Sequence, residues 1–322
     1  MAKNKILVTG TSVRTDLLQP LIDAGFEVEN PTHLLTESEL KEHLKTSAGY
    51  LLGGDEFASK EALSTADGLK VVAFLGMGYQ SFVDVAAANE KEIPITNTPG
   101  TLSNSVAEFT AGLLLNSTRK LHKYATENAK GQTGHEEKQH DLSSLHVGIA
   151  GLGGIGTRIA EILRNGFNTK VSYFSRTRKE NEEKRLNISY SPLEQLLTQV
   201  DVLILMTPNT PETTGMIGQA QINKMKKGAI IINTARPEII DANALLTGLE
   251  SGQIEYAALD GFYEATSSDG EKLKALVPQK LMVTGHIASL THEARDGMAK
   301  LAISSIINLI NTGSDKYVVN KK

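Results

Sequence analysis

A short apolar run ends in Gly151-Leu152-Gly153-Gly154-Ile155-Gly156 and passes at once into an amphipathic helical pattern. A strand, a glycine turn and a helix in that order make an anion site: the free amides and the dipole of the helix N-terminus face a phosphate that glycine lets come close. Gly151 permits the tight turn, Gly153 lets the backbone approach a pyrophosphate, and Gly156 allows the helix to pack on the strand, with Gly154 and Ile155 opening the helix. The pattern is that of a dinucleotide-binding turn. An NAD-selective turn of this kind carries an acid about 20 positions on to accept the ribose hydroxyls. Ser175 stands at that place, followed by Arg176, Thr177 and Arg178. A missing carboxylate and two guanidiniums suit a 2′-phosphate, which places NADP(H) ahead of NAD(H) as the cofactor. A solvated basic loop is the alternative reading of the same four residues.

The elements that must position this turn follow a repeating rhythm. Apolar runs at 6–8, 26–28, 49–52, 71–75 and 93–95 read as strands, separated by helical patterns at 16–24, 36–45 and 84–89. Thr36 and Glu39 have the spacing of a capping box. Pro99-Gly100 interrupts the rhythm, and one long helix is predicted from Ser103 to about Asn128, with Ser105 and Glu108 at capping-box spacing. After the glycine turn, strands are predicted at 170–174, 188–190, 202–206, 229–233, 256–259 and 280–283. Ser191-Pro192-Leu193-Glu194 reads as a capped helix start, a helix at 241–249 stops near Gly252, and a last helix at 291–309 is expected to return to the first unit. Strands alternating with helices make the fold class α/β with doubly wound parallel sheets.

Composition narrows the function. The chain has 322 residues, enough for two cores, and its 40% hydrophobic and 22% charged residues are those of a soluble globular protein. No apolar run approaches the length of a membrane span, and the first strand, not a signal-peptide core, accounts for the apolar residues near the N-terminus. With no cysteine there is no disulfide, thiolate metal site or thiol nucleophile, which fits a cytoplasmic protein. A net charge of −4 with short, scattered basic clusters gives nucleic acid no footprint, and no metal site is expected.

Several ordered segments carry a resemblance: LKVVAFLGMGYQSFVDVAAANEKEIPITNTPGTLSNSVAEF, SYSPLEQLLTQVDVLILMTPNTPETTGMI, GAIIINTARPEIIDANALLTGLESGQIEYAALDGF and LMVTGHIASLTHEAR. Together they resemble the D-isomer-specific 2-hydroxyacid dehydrogenase family over nearly the whole chain. The resemblance implies a Rossmann cofactor domain at 101–288 inserted in a discontinuous, flavodoxin-like substrate domain at 1–100 and 289–322. It also implies an NAD(P)-dependent oxidoreductase with Arg236, Glu264 and His286 as catalytic residues. In such a site hydride arriving at a carbonyl builds charge on its oxygen, so His286 acts as the acid, Arg236 as the cation, and Glu264 holds the imidazole. Thr207, Pro208, Thr213, Thr234, Ala235 and Asp260 join the cofactor set; Asp260 either contacts the nicotinamide carboxamide or caps a turn. Gly53, Gly54, Gly76, Met77 and Gly78 join Arg236 and His286 at the substrate, with the amides of residues 76–78 meeting its carboxylate.

Three departures from the family pattern stand out. Arg-Gly becomes Arg236-Pro237, the glutamate falls one residue early after Asp260-Gly261-Phe262-Tyr263, and Gly285 replaces the proline before the histidine. The loop after residue 52 has no basic residue and carries Asp55 and Glu56, which argues against a phosphorylated substrate and for a small 2-oxo acid such as glyoxylate or hydroxypyruvate. The long helix after Ser103 makes a homodimer the expected assembly. The same family includes dinucleotide-binding corepressors, so a regulatory protein with little turnover is the alternative.

Overall fold

The computed structural model describes residues 4–10, 13–132, 139–263 and 268–320. By its contacts the chain divides into two compact units, one formed by Met1–Leu102 with Leu290–Lys322 and the other by Ser103–Ser289.

In the first unit, strands β1 (Lys5–Val8), β2 (Glu27–Glu29), β3 (Ser47–Leu52), β4 (Val72–Phe74) and β5 (Ile95–Thr96) alternate with helices α1 (Gln19–Asp23), α2 (Glu37–Thr46), α3 (Lys60–Leu63) and α4 (Val85–Glu90). Every strand pair is parallel and the order is β2-β1-β3-β4-β5, the flavodoxin-like arrangement. Alternation along the strands builds a core on each face of the sheet. Leu7, Tyr50, Leu52, Val72 and Phe74 bury against Leu40 and Leu44 of α2, while Ile6, Val8, Leu51, Val71 and Ala73 face the other way. The Thr36–Glu39 capping box is formed, and Asp84 caps α4 through the Ala87 amide.

The second unit opens with α5 (Ser103–Arg119) and α6 (Leu121–Ala129), where a single helix was expected. Lys120 interrupts it in the left-handed region at φ 51°, a conformation costing about 1 kcal/mol for a residue with a Cβ. One long-range and one local interaction hold the break: Lys120 Nζ pairs with Glu255 at 2.7 Å, and Asn116 Oδ1 accepts the His122 amide at 2.8 Å. Because α5 starts at Ser103, Ser105 lies inside the first turn and is buried, so the expected cap with Glu108 is not at the helix start.

Seven strands follow: β6 (His146–Ala150), β7 (Lys170–Phe174), β8 (Ser189–Tyr190), β9 (Val202–Leu205), β10 (Ala229–Asn233), β11 (Ile254–Asp260) and β12 (Leu281–Thr284). Interleaved with them are α7 (Gly154–Phe167), α8 (Glu180–Leu186), α9 (Leu193–Gln199), α10 (Gln219–Lys224), α11 (Ala242–Ser251) and α12 (Ser268–Lys274). All pairs are parallel in the order β12-β11-β10-β9-β6-β7-β8, the Rossmann order extended by one strand. Both faces are covered, which is why the strands read as nearly unbroken apolar runs. Pro192, not Ser191, is the cap residue of α9, because the Ser191 amide is drawn to Tyr173 O at the end of β7. Finally α13 (His292–Thr312), capped by Thr291, lies on β3 and β4 of the first unit, where Ala299, Ala302, Ile303, Ile306 and Leu309 complete the second face of that core.

Candidate active site

In the second unit the strands' C-terminal ends carry the predicted machinery, as doubly wound sheets require. After β6 the chain turns at Gly151, φ +109°, where a Cβ would stand 2.5 Å from Met206 O. At Gly156 a Cβ would stand 2.1 Å from Gly151 O, so α7 rests directly on the turn. Gly153, by contrast, has open space in front of it and caps α7 with no side chain, leaving the amides of the first turn to an incoming acceptor. The Thr207 hydroxyl is buried without a partner, and the Thr207 amide nitrogen lies 2.8 Å from where a Gly151 Cβ would be. An uncapped helix start, a face free of side chains and an orphaned hydroxyl fit the pyrophosphate of a dinucleotide, which would rest on Gly153, Gly154 and Ile155.

Beyond β7, Ser175 Oγ donates to Thr177 O at 2.7 Å, closing a tight loop. Arg176, Thr177 and Arg178 are exposed, but Arg178 is held in a two-bond fork by Glu183 of α8. Of the other cofactor candidates, Pro208 and Thr213 sit in the loop after β9, where Thr213 Oγ1 donates to Pro208 O at 2.6 Å and accepts the Thr210 amide at 2.8 Å. The Thr234 hydroxyl is tied to Thr110 of α5 at 2.7 Å.

The catalytic candidates follow β10, β11 and β12. Asn233, which sequence reasoning passed over, folds the turn after β10 by accepting the Ala235 amide and donating to Arg236 O. Arg236 is extended at φ −142° and ψ 137°, as a residue before proline must be. Its Nη1 lies 3.3 Å from His286 Nε2. A guanidinium has no acceptor, so in this pairing Nε2 presents its lone pair. Burial pulls the Arg236 pKa down, opposed by the negative charges of Glu238 and Asp260.

His286 itself sits at φ +56°, a strained conformation for a side-chain-bearing residue and one met at functional sites. Buried Asp260 fixes that conformation. Its Oδ1 accepts from Thr284 Oγ1 at 2.6 Å and the Ile287 amide at 2.8 Å, and its Oδ2 accepts the Ala288 amide at 2.8 Å. Of the two duties open to Asp260, its bonds belong to the turn. A cavity of about 450 Å³ is lined by Arg236, Glu238, Asp260, Phe262, Thr284 and His286. Glu238 reaches it because Pro237–Ile239 form a 3₁₀ turn, and nothing in the spacing marks that. Glu264 lies outside the described residues.

In the first unit, Gly53 and Gly54 follow β3, and Gly76, Met77 and Gly78 follow β4. Two expectations change there. The Gly76 amide is taken by Thr98 Oγ1 at 2.9 Å, leaving the amides of Met77 and Gly78 as the candidates for a carboxylate. Glu56 is turned inward and buried, its Oε2 lying 2.2 Å from where a Gly54 Cβ would be, so Asp55 alone gives the loop exposed negative charge.

A parallel dinucleotide-binding sheet with an arginine and a histidine converging at its strand ends is the framework of a nicotinamide-dependent oxidoreductase. The NAD binding domain of the D-isomer specific 2-hydroxyacid dehydrogenases matches residues 111–288. Glyoxylate/hydroxypyruvate reductase B of Cronobacter sakazakii is 34% identical over 317 residues, which cover 97% of this chain and 96% of that protein. Glyoxylate reductase of Pyrococcus horikoshii is 36% identical over 260 residues, 78% of this chain and 76% of that one. Among solved structures, a glyoxylate reductase from Paecilomyes thermophila superposes with a TM-score of 0.87 at 25% identity, covering 99% of both chains. The chain belongs to the D-isomer specific 2-hydroxyacid dehydrogenase family. It is an enzyme with a nicotinamide dinucleotide cofactor, and among the described residues no helix is long and apolar enough to cross a membrane.

Proposed function

We propose that the protein reduces a small unphosphorylated 2-oxo acid, glyoxylate or hydroxypyruvate, to the D-2-hydroxy acid, using NADPH in preference to NADH. The observation that carries this reading is the Arg236–His286 pair, 3.3 Å apart at the mouth of two neighbouring loops. Relatives named glyoxylate or hydroxypyruvate reductases support the substrate class.

When bound, the dinucleotide supplies the hydride. The chain does the rest: Arg236 and His286 converge on one point, where the substrate's carbonyl oxygen accepts from both. Charge building on that oxygen is stabilised by the fixed guanidinium and relieved when His286, whose Nε2 takes up a proton once the substrate oxygen replaces it as the acceptor for Arg236, delivers that proton. Glu264 would hold the imidazole from its other side and favour the protonated form. Met77 and Gly78 amides would bind the carboxylate. The exposed charge of Asp55 in the substrate loop disfavours a phosphorylated substrate. A reducing cytoplasm accords with the lack of cysteine. A homodimer accords with α6, which buries none of its residues and leaves Leu121 56% exposed.

The test is a panel of 2-oxo acids assayed with NADPH and NADH in parallel, alongside His286→Ala. Turnover of the two- and three-carbon acids is expected, with kcat in the variant down by about 10³-fold or more and NADPH binding nearly unchanged. No turnover with any 2-oxo acid would sink the reading, and loss of cofactor binding alone would remove His286 from its role.

A further inference from the structure

We propose that Glu183 sets the cofactor specificity of this enzyme by holding Arg178 to the protein, so that Arg176 alone serves a 2′-phosphate. The inference deepens the NADP reading above and rests on it. Two guanidiniums flank Thr177 in the sequence, but the fold uses them differently. Arg178 Nε and Nη2 donate to the two carboxylate oxygens of Glu183 at 2.9 and 2.8 Å, the paired geometry in which arginine binds a carboxylate most strongly. Glu183 is itself anchored: its Oε1 accepts the Tyr173 hydroxyl at 2.7 Å, and that hydroxyl accepts the Lys179 amide at 2.6 Å. Tyr173 is fully buried, so the anchor is rigid. Arg178 also lies 5.9 Å from the centre of the Tyr190 ring.

This arrangement is neutral and stays so. Arg178 first, then Tyr173, holds the Glu183 carboxyl down at about 2, and Glu183 in turn raises Arg178. To grip a phosphate through Nε and Nη2, Arg178 must leave this fork and abandon a bare carboxylate beside the phosphate; if it stays and offers only Nη1, its charge is already balanced by Glu183, whose carboxylate lies within a Debye length of the incoming anion. Arg176 has no such commitment: among the described residues it makes no hydrogen bond or ion pair, it is exposed, and its charge is felt by Glu212 in the loop after β9. One effective cation, not two, therefore faces the 2′ position. The consequence is a moderate preference for NADP(H) with NAD(H) still used.

The test compares binding of adenosine 2′,5′-bisphosphate and 5′-AMP, which differ only in the 2′-phosphate, by calorimetry on the full-length protein. Arg176→Ala is expected to lower the bisphosphate preference about tenfold. The charge-balanced double variant Arg178→Gln/Glu183→Gln should keep it within about threefold, and Glu183→Gln alone should raise it about fivefold by releasing Arg178. Loss of the preference in the double variant, or no gain in Glu183→Gln, overturns the proposal. A wild-type protein without any bisphosphate preference overturns the NADP reading instead, and Glu183→Gln still decides whether Glu183 restrains Arg178.

Discussion

Replacing Asp260 by Asn is the sharpest probe of how the proposed acid is held. Asp260 is 2% exposed and its two oxygens accept three hydrogen bonds, from Thr284, Ile287 and Ala288. An amide keeps one acceptor and turns a donor towards either the Ile287 or the Ala288 amide. A charged-group hydrogen bond lost and a buried donor left unmet cost about 3 kcal/mol together. For a unit of this size that lowers Tm by about 6–12 °C. His286 loses more than stability: freed from Asp260, the loop relaxes from φ +56° to ordinary angles and Nε2 leaves Arg236, so kcat should fall about 100-fold. Thermal unfolding and steady-state kinetics at saturating cofactor give both numbers. A variant within about 1 °C and twofold of wild type refutes the reasoning. A rise in cofactor KM with Tm unchanged would assign Asp260 to the nicotinamide instead.

Two further outcomes are expected. Gly156→Ala puts a methyl 2.1 Å from Gly151 O, which must push α7 off the turn; NADPH binding followed by fluorescence titration should be lost, and near-normal affinity would contradict the packing described. His146, whose Nε2 is 2.8 Å from Ser172 Oγ, is held below its usual pKa of 6.5 by burial and then by Lys170 and Lys226. The unfolded chain therefore takes up a proton that the folded one resists, so stability is full above pH 6.5 and falls as the pH drops below it. Urea unfolding at pH 7.5 and 5.5 should show a smaller loss of stability on acidification for His146→Gln than for wild type, and equal losses would dismiss the histidine as the cause.

What was legible in the sequence was what local pattern encodes. Strands such as Ala229–Asn233 are unbroken apolar runs because both faces of a parallel sheet are covered, and Thr36, Asp84, Asp241 and Thr291 announce helices through bonds reaching only three residues. The four short helices α3, α8, α10 and α12 were missed, since a turn or two of helix carries too little periodicity to stand out. Long-range bonds were invisible too. Lys120 breaks its helix for Glu255, far along the chain, and the Gly76 amide is lost to Thr98 across neighbouring strand ends. At the site, residue types pointed to Arg236 and His286, but not to the Asn233 turn or to the inward Glu56, whose directions depend on backbone angles that spacing does not carry.

The position of α13 bears on the order in which the molecule is made. Residues 103–289 form one continuous unit, whereas the core of the other takes Ala299, Ala302, Ile303, Ile306 and Leu309 from the far end of the chain. During synthesis Ile6, Val8, Leu51, Val71 and Ala73 leave the ribosome before residues 103–289, yet the helix that covers them leaves after those residues. The unit formed by residues 103–289 is thus able to finish folding before the other, whose sheet keeps one face incompletely covered until residue 309 has emerged.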